Sequence, residues 1–208
     1  MLMHDQYPDG TVRALLATDQ VTEATRQALT ERLAISPQPP QFFTASEFSL
    51  LQAICNRLIP QDERTERIDI AGRIDERLTL NKSDGWRYDV MPADGDAYKL
   101  GLTGVDEAAR LLFLQTFQQL SDELKDRVLK AIQYKEAPGE TWQKLPANRF
   151  FEELLTEVAN TYYCHPLAQE EIGYVGMADV PTWQRIGLNK LEDREPKSIG
   201  PGGKGIGY

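Results

Sequence analysis

Apolar residues recur at helical spacing along most of the chain, and the clearest stripe lies between Phe43 and Pro60. Thr44 and Glu47 stand three residues apart, which is the spacing of a capping box at the start of a helix. Phe43 is placed to form a hydrophobic staple with a second phenylalanine inside the helix. One face of the segment carries the apolar set Phe48, Leu51, Ile54, Cys55, Leu58 and Ile59. The pattern predicts a helix over about residues 45–59, which Pro60 ends.

Five further segments show apolar residues at helical spacing: 18–34, 70–81, 98–114, 121–132 and 147–164. Thr18 or Asp19 is expected to cap the first of them and Ser121 the fourth, while Pro166 follows the last. No stretch of useful length alternates polar and apolar residues with the period of two that a strand requires. The chain is therefore predicted to be all-α, an irregular helical bundle.

The sequence divides into three parts by composition. Residues 1–41 form an N-terminal arm that ends in a proline-rich linker at residues 36–40, where consecutive prolines fix an extended chain. Residues 42–190 hold most of the helical pattern and are predicted to form one helical domain. Residues 191–208 form a Gly/Pro-rich tail, which cannot build a core and is expected to be flexible or docked on a partner.

Charge and hydropathy exclude several classes of protein. Across 208 residues, 32 Asp and Glu against 23 Lys and Arg give a formal net charge of −9. This acidic balance disfavours nucleic acids and anionic membrane surfaces as partners, since both require a basic face. No apolar run approaches the roughly 20 residues needed to span a bilayer, and no segment near the start resembles the apolar core of a signal peptide. We therefore expect a cytoplasmic protein.

The chain has few residues that bind metals or act as nucleophiles. Cys55 and Cys164 are far apart in sequence and neither lies in a Cys-x-x-Cys motif, so no structural zinc site or cysteine-ligated iron–sulfur cluster is expected. Free thiols are favoured, and a disulfide between the two would require export. His165 lies next to Cys164. This pair indicates a Cys/His site, a metal ligand or, as we favour, a histidine near a helix C-terminus, where the helix dipole stabilises its cation.

Carboxylate pairs occur at Asp62-Glu63 and at Asp75-Glu76, each with arginines nearby. We expect exposed ion pairs at i,i+4 spacing at these positions rather than general acid–base chemistry. The glycines of the tail lack the preceding strand and the following helix of a phosphate-binding loop. No catalytic, cofactor-binding or metal-ligating residue is therefore predicted in this chain.

Aromatic residues gather in two places, one of which includes the end of the helical segment 147–164. Two lie in the polar loop over residues 81–95, and the others lie near the C-terminal end, where glycines are frequent. Such residues either complete the core of the monomer or form a docking surface for another protein. The candidate interface residues are Trp86, Tyr88, Tyr162, Tyr163, Tyr174 and Trp183.

Several motifs occur in the order found in a known family. The sequence FFTASEF at residues 42–48 is followed by Ala53 and by Arg57-Leu58-Ile59-Pro60. Further matching segments are Tyr98 to Leu102, Phe117 to Ser121, Phe150-Phe151, His165-Pro166, Glu171 to Tyr174, and Trp183 with Ile186-Gly187. Over residues 42–190 the chain resembles the gluconate 2-dehydrogenase subunit 3 family.

This resemblance implies a small accessory subunit that has no chemistry of its own. Its partner would be a large flavin-dependent subunit of the glucose-methanol-choline oxidoreductase type, which carries FAD and oxidises a sugar, a sugar acid or a related polyol. A cytochrome c subunit often accepts the electrons in this family. The small subunit is expected to support the folding, maturation, stability or export of the large one. FAD is thus expected in the partner and no cofactor in this chain.

Alternatives remain open at this point. Many members of the family begin with a twin-arginine export signal, which this sequence lacks, so a periplasmic complex would need co-export with the partner or removal of the signal. The residues alone also permit a stand-alone helical enzyme that uses His165 with acidic residues. A helical protein-binding module unrelated to redox chemistry is the third interpretation.

Overall fold

The computed structural model describes residues 10–34, 37–83 and 90–175, together with the single positions 188, 190, 191, 195, 197 and 199. No strand occurs among these residues, which confirms the all-α prediction. The helices are α1 (Thr11–Leu15), α2 (Glu23–Ala34), α3 (Ala45–Leu58), α4 (Ile70–Thr79), α5 (Asp94–Phe113), α6 (Asp122–Gln133), α7 (Thr141–Lys144), α8 (Ala147–Tyr163) and α9 (Pro166–Glu171), with a 3₁₀ turn at Phe117–Gln119. None of these helices is long and apolar enough to cross a membrane.

The contacts between residues group the chain into two compact units. One contains Pro37–Thr161, and we call it the helical unit. The other contains Met1–Ser36 together with Tyr162–Tyr208, and we call it the terminal unit. The division at residues 41 and 190 that composition suggests stays a prediction.

Helix α3 begins at a capping box, as the sequence predicts. The amide of Glu47 donates to Oγ1 of Thr44 at 3.3 Å, and the amide of Thr44 donates to Oε2 of Glu47 at 2.8 Å. These bonds satisfy two amides that the start of a helix otherwise leaves without partners. The buried side chains of α3 are Phe48, Leu50, Leu51, Ile54 and Cys55. The helix ends at Leu58, just before Pro60, so local signals determine both of its ends.

Asp75 is buried in the helical unit, although the sequence predicts an exposed ion pair there. Only 4% of the residue is exposed, and its carboxylate accepts the backbone amides of residues 41–43 at 2.8, 3.1 and 3.0 Å. The neighbouring Glu76 does form an ion pair, but with Arg73 at i,i+3 spacing. The hydrogen bonds of Asp75 therefore hold the segment that precedes α3 against helix α4.

Helix α5 packs against α3, α6, α7 and the 3₁₀ turn. It begins at Asp94, earlier than predicted, because acidic residues in a first turn interact favourably with the helix dipole. A Cβ on Gly101 would come within 2.1 Å of the Phe150 ring of α8. The Trp142 ring of α7 would lie 2.6 Å from a Cβ on Gly104. The two glycines therefore let these rings lie directly against the backbone of α5.

The terminal unit packs helices from distant parts of the chain, since α1 and α2 both contact α9. Its core consists of Val12, Val21, Leu29 and Val175. The sequence predicts neither α1 nor α9, because both are too short to show a periodic pattern. Helix α2 begins at Glu23, so the prediction of a start at Thr18 or Asp19 is wrong. The Thr18 hydroxyl instead forms a turn, in which it donates to the Leu15 carbonyl at 2.8 Å and accepts the Gln20 amide at 3.2 Å.

Glu170 joins α9 to the start of α1 in the terminal unit. Its side chain is 5% exposed, and its carboxylate accepts the amides of Gly10 and Arg13, both at 3.0 Å. The Arg13 guanidinium donates two further bonds of 3.1 and 2.9 Å to the same carboxylate. Burial by itself raises the pKa of Glu170, but the hydrogen bonds from Arg13 and Gly10 outweigh burial and hold the pKa below its ordinary value. The charged form of Glu170 therefore stabilises this contact.

We expect Gly101→Ala to lower the free energy of unfolding by about 1–3 kcal/mol, because the new methyl group collides with the buried Phe150 ring. The same change inside an unobstructed helix raises stability by about 1 kcal/mol instead. Thr103→Ala is the matched control, since Thr103 is exposed on the same helix. Urea denaturation followed by circular dichroism measures both variants. A Gly101→Ala protein at least as stable as the control would contradict the close packing of α5 on Phe150.

Acid should weaken the terminal unit through Glu170. Because the pKa of Glu170 is lowered in the folded state, its stabilisation is complete above the ordinary value of 4.5 and is lost as the pH falls through the folded-state pKa. Glu170→Gln should therefore reduce stability by about 1–3 kcal/mol at neutral pH, and the difference from the wild type should shrink in acid. Thermal denaturation at pH 7 and at about pH 3.5 measures this difference.

The control for that experiment is Glu23→Gln, because the Glu23 side chain belongs to the same unit and is 87% exposed. It should leave stability unchanged at both pH values, since exposed ion pairs contribute little. A deficit of Glu170→Gln that is the same in acid as at neutral pH would show that the charge of Glu170 is not what stabilises the contact.

Candidate partner interface

The structure describes three of the six aromatic residues that the sequence proposes for an interface. The described ones belong to the terminal unit and are Tyr162, Tyr163 and Tyr174. The predictions for the other three fall outside the described residues: Trp86, Tyr88 and Trp183. Exposure separates the described tyrosines, because Tyr162 is 4% exposed while Tyr163 and Tyr174 are 48% and 47% exposed.

Tyr163, Ile172 and Tyr174 present exposed apolar area near the ends of α8 and α9, and we call these three residues the tyrosine face. Ile172 is 48% exposed. The Tyr163 ring lies edge-on to the Tyr162 ring, with 5.1 Å between the centroids. The Tyr162 hydroxyl donates to Oε2 of Glu171, the residue before Ile172, at 2.6 Å. Tyr162 therefore holds Tyr163 and the end of α9 together from the interior.

His165 lies two residues after the C-terminal end of α8, as predicted, and it is also the N-cap of α9. The predicted cation does not fit this cap, because Nδ1 accepts a hydrogen bond. The amide of Leu167 donates to its Nδ1 at 3.3 Å, and its Nε2 lies 3.0 Å from the carbonyl oxygen of Arg32. Since a nitrogen that accepts a hydrogen bond carries no proton, we assign the neutral tautomer in which Nε2–H donates to Arg32. Both ring nitrogens thus serve the fold, whereas a general base or a metal ligand needs one of them for the reaction.

Both cysteines are free thiols. Cys55 is buried in α3, and burial raises the pKa of its thiol well above the ordinary value, with a smaller contribution from the negative charge of Glu157. A thiol that keeps its proton is a poor nucleophile and a poor metal ligand. Cys164 is exposed. Within the described residues, no three His, Cys, Asp or Glu side chains are grouped so that they could hold a metal ion.

A partly buried ion-pair network joins three helices of the helical unit. Arg77 of α4 donates from Nε and Nη2 to the two carboxylate oxygens of Glu157 in α8, at 2.5 and 2.8 Å. Its Nη1 donates to Asp94 at 2.7 Å. The hydroxyl of Tyr98, in α5, also donates to Glu157. Sequence reasoning missed this network because its members are distant along the chain, and the motif that contains Tyr98 gives no sign of its partner.

The pKa values in this network follow from burial and from the charge of Glu157. Burial raises the pKa of Tyr98 well above its ordinary value of 10, and the charge of Glu157 and its hydrogen bond raise it further. Burial lowers the pKa of Arg77, but the hydrogen bonds and charge of Glu157 outweigh burial and raise the pKa overall. Both groups therefore keep their protons at neutral pH, which suits them to fixing helices rather than to acid–base catalysis.

A second exposed apolar surface lies at the C-terminal end of α5. Leu111, Leu112 and Leu114 are 57%, 41% and 91% exposed, and we call these three residues the leucine turn. Leu114 has a φ of +60°, the left-handed conformation that glycine commonly adopts at the end of a helix. The sequence indicates this surface, because residues 111–114 are four consecutive apolar residues. Consecutive residues of a helix point in different directions, so one buried face cannot cover all four side chains.

The sequence profile of a family described as gluconate 2-dehydrogenase subunit 3 matches residues 45–181. The match begins at the first residue of α3 and includes both the leucine turn and the tyrosine face. A search of curated proteins found no match, and no solved structure matches the chain. The matched segment exceeds half of the chain and agrees with the motifs that carry the resemblance. The chain therefore belongs to the gluconate 2-dehydrogenase subunit 3 family.

Proposed function

We propose that this chain is the non-catalytic small subunit of a flavin-dependent dehydrogenase that oxidises gluconate, glucose or a glucoside. In this proposal it binds a large subunit of the glucose-methanol-choline type, which carries the FAD, and supports the folding, maturation or stability of that subunit. A cytochrome c subunit takes the electrons. Membership of the family supports the coarser part of this statement, because it implies a subunit of a multi-subunit gluconate dehydrogenase.

Two observations together support the proposal. The chain has two exposed apolar surfaces, and several of its buried polar groups form hydrogen bonds within the fold. The tyrosine face and the leucine turn expose large apolar side chains, of which Leu114 is the extreme case at 91%. Exposed aromatic and aliphatic groups of this kind are typical of protein–protein contacts. The titratable groups that could supply chemistry, such as His165 and Glu157, are instead bonded to other parts of the chain.

Binding alone is sufficient for the supporting role. A protein that binds the native large subunit and not the unfolded one stabilises the native state by mass action. At a free concentration of about 100 times its Kd, this stabilisation is about 2.7 kcal/mol, which is a large part of the stability of an ordinary domain. The small subunit therefore needs a well-formed surface and a rigid fold, and it needs no reactive group.

The stand-alone enzyme is the weaker candidate. It requires His165 as a base or ligand, and hydrogen bonds to Leu167 and Arg32 use both nitrogens of that ring. A protein-binding module unrelated to redox chemistry agrees with the same exposed surfaces, but it does not account for membership of a family of dehydrogenase subunits.

Co-expression tests the proposal. We expect the large flavoprotein subunit of the same host to be recovered in greater soluble yield, with more FAD per protein, when this chain is present, because binding stabilises its native state. The ratio of flavin absorbance to protein absorbance and the rate of dye reduction with gluconate or glucose measure the effect. A large subunit that is equally soluble, flavinated and active without this chain would contradict the supporting role.

Matched variants locate the effect on the tyrosine face. The double variant Tyr163→Ser, Tyr174→Ser should reduce the recovery of flavinated large subunit several-fold, since truncated interface aromatics commonly weaken binding by about tenfold or more. Tyr134→Ser is the control, because Tyr134 is 65% exposed and lies in the helical unit, outside both apolar surfaces. If the control reduces recovery as much as the double variant does, the loss of any exposed tyrosine has this effect. That result would contradict a contact at the tyrosine face.

A further inference from the structure

The two N-terminal helices bury few side chains for their length. We call residues 10–34, which contain α1 and α2, the strap. Helix α1 buries only Val12, and α2 buries only Leu29 among its 12 residues. Helix α3, by comparison, buries five of its 14 residues. Segments with few buried apolar contacts open at a lower free energy than the core of a protein does, so the strap is a segment that can open locally.

Hydrogen bonds hold the strap at both ends of α9. At α1, the Glu170 carboxylate accepts two backbone amides and two bonds from the Arg13 guanidinium. At the end of α2, Nη1 of Arg32 donates to the Cys164 carbonyl at 2.8 Å, and Nε2 of His165 donates to the Arg32 carbonyl. His165 is the N-cap of α9 and Glu170 is its penultimate residue. The strap therefore has a polar attachment at each end of this short helix.

The two helices of the strap share one apolar cluster and are also joined to each other. Val12 of α1 belongs to the same cluster as Val21 and Leu29, and Val175, which follows α9, completes it. The Arg26 guanidinium of α2 donates to two carbonyl oxygens of the segment between the helices, both at 3.1 Å. When α1 leaves the cluster, α2 therefore loses apolar neighbours as well, which favours opening of both helices together.

The chain that follows the strap is fixed by contacts of its own. Residues 37–40 contain three prolines and no regular secondary structure. The next three amides, of residues 41–43, donate to the buried carboxylate of Asp75 in α4. These bonds stay in place when the strap leaves α9, so its opening does not require α3 to unfold.

On these grounds we propose that the strap opens from α9 as one unit while the helical unit stays folded. The closed form buries the apolar cluster around Val12 and Val175 together with the Glu170 carboxylate. The open form exposes both, so the strap controls access to an apolar and acidic site in the terminal unit. The opening is a property of the isolated chain and does not depend on the proposed function.

Hydrogen–deuterium exchange of the isolated full chain tests this opening. Arg13→Ala removes the two guanidinium bonds to Glu170 at the α1 end of the strap. Exchange should then become about tenfold faster or more in both helices, including residues 27–34 at the far end of α2. Exchange in α3 and α5 should keep the wild-type rate, because the helical unit stays closed.

Leu29→Ala weakens the strap from its other end, because it removes a buried side chain of α2. It should speed exchange at residues 14–16 of α1 to a similar extent. Arg73→Ala is the matched control for Arg13→Ala. Its side chain is 40% exposed against 42% for Arg13 and also forms an ion pair, but it belongs to α4. This control should leave exchange in the strap unchanged.

Three results would overturn the proposal. Faster exchange confined to α1 in Arg13→Ala and to α2 in Leu29→Ala would show that each helix detaches by itself. Equal acceleration in α3 and α5 would show that the strap opens only when the whole chain unfolds. Wild-type exchange in the strap of both variants would show that neither the Glu170 contact nor the apolar cluster holds it closed.

Discussion

The ion pair between Arg77 and Glu157 is the interaction on which the helical unit most depends. It connects α4 with α8, and Glu157 also accepts the Tyr98 hydroxyl of α5. Without this carboxylate, the Tyr98 phenol and the Nε and Nη2 of Arg77 would lose the acceptor that they share, although Nη1 of Arg77 would keep Asp94. A buried polar group left without a partner costs more than the hydrogen bond contributed. The position of α5 follows from this contact and from the close approach of Phe150 to Gly101, and α5 in turn carries the leucine turn.

Buried and partly buried polar groups in this fold link parts of the chain that are distant in sequence. Asp75, Glu170 and His165 each form hydrogen bonds with groups from distant parts of the chain. Two of them, Asp75 and His165, are candidates for chemistry in the sequence, and in the structure they stabilise the fold. The exposed apolar residues of the leucine turn and the tyrosine face lie at or near helix ends. Exposed apolar side chains on ordered helices suit a subunit that acts through binding, because such side chains lose little conformational freedom in a complex.

The sequence predicted those parts of the fold that local interactions decide. The capping box at Thr44 and the apolar stripe that follows it determine α3 without help from the rest of the chain. Asp75 and Glu170 could not be predicted, because their partners lie far away in the sequence and only the folded chain brings them together. The same holds for His165, whose role depends on a short helix without a periodic pattern. For the interface, the sequence indicated the tyrosines but not the leucine turn. An apolar run predicts an apolar helix face, but it does not reveal whether other parts of the same chain bury that face.

We expect this chain to contribute a binding surface to the complex rather than chemistry. Hydrogen–deuterium exchange of the chain, alone and with the large flavoprotein subunit, tests that claim most directly. We expect slower amide exchange in the complex at residues 111–116 and 172–174, with unchanged exchange around Lys135. A complex that forms while exchange at both surfaces remains unchanged would contradict it.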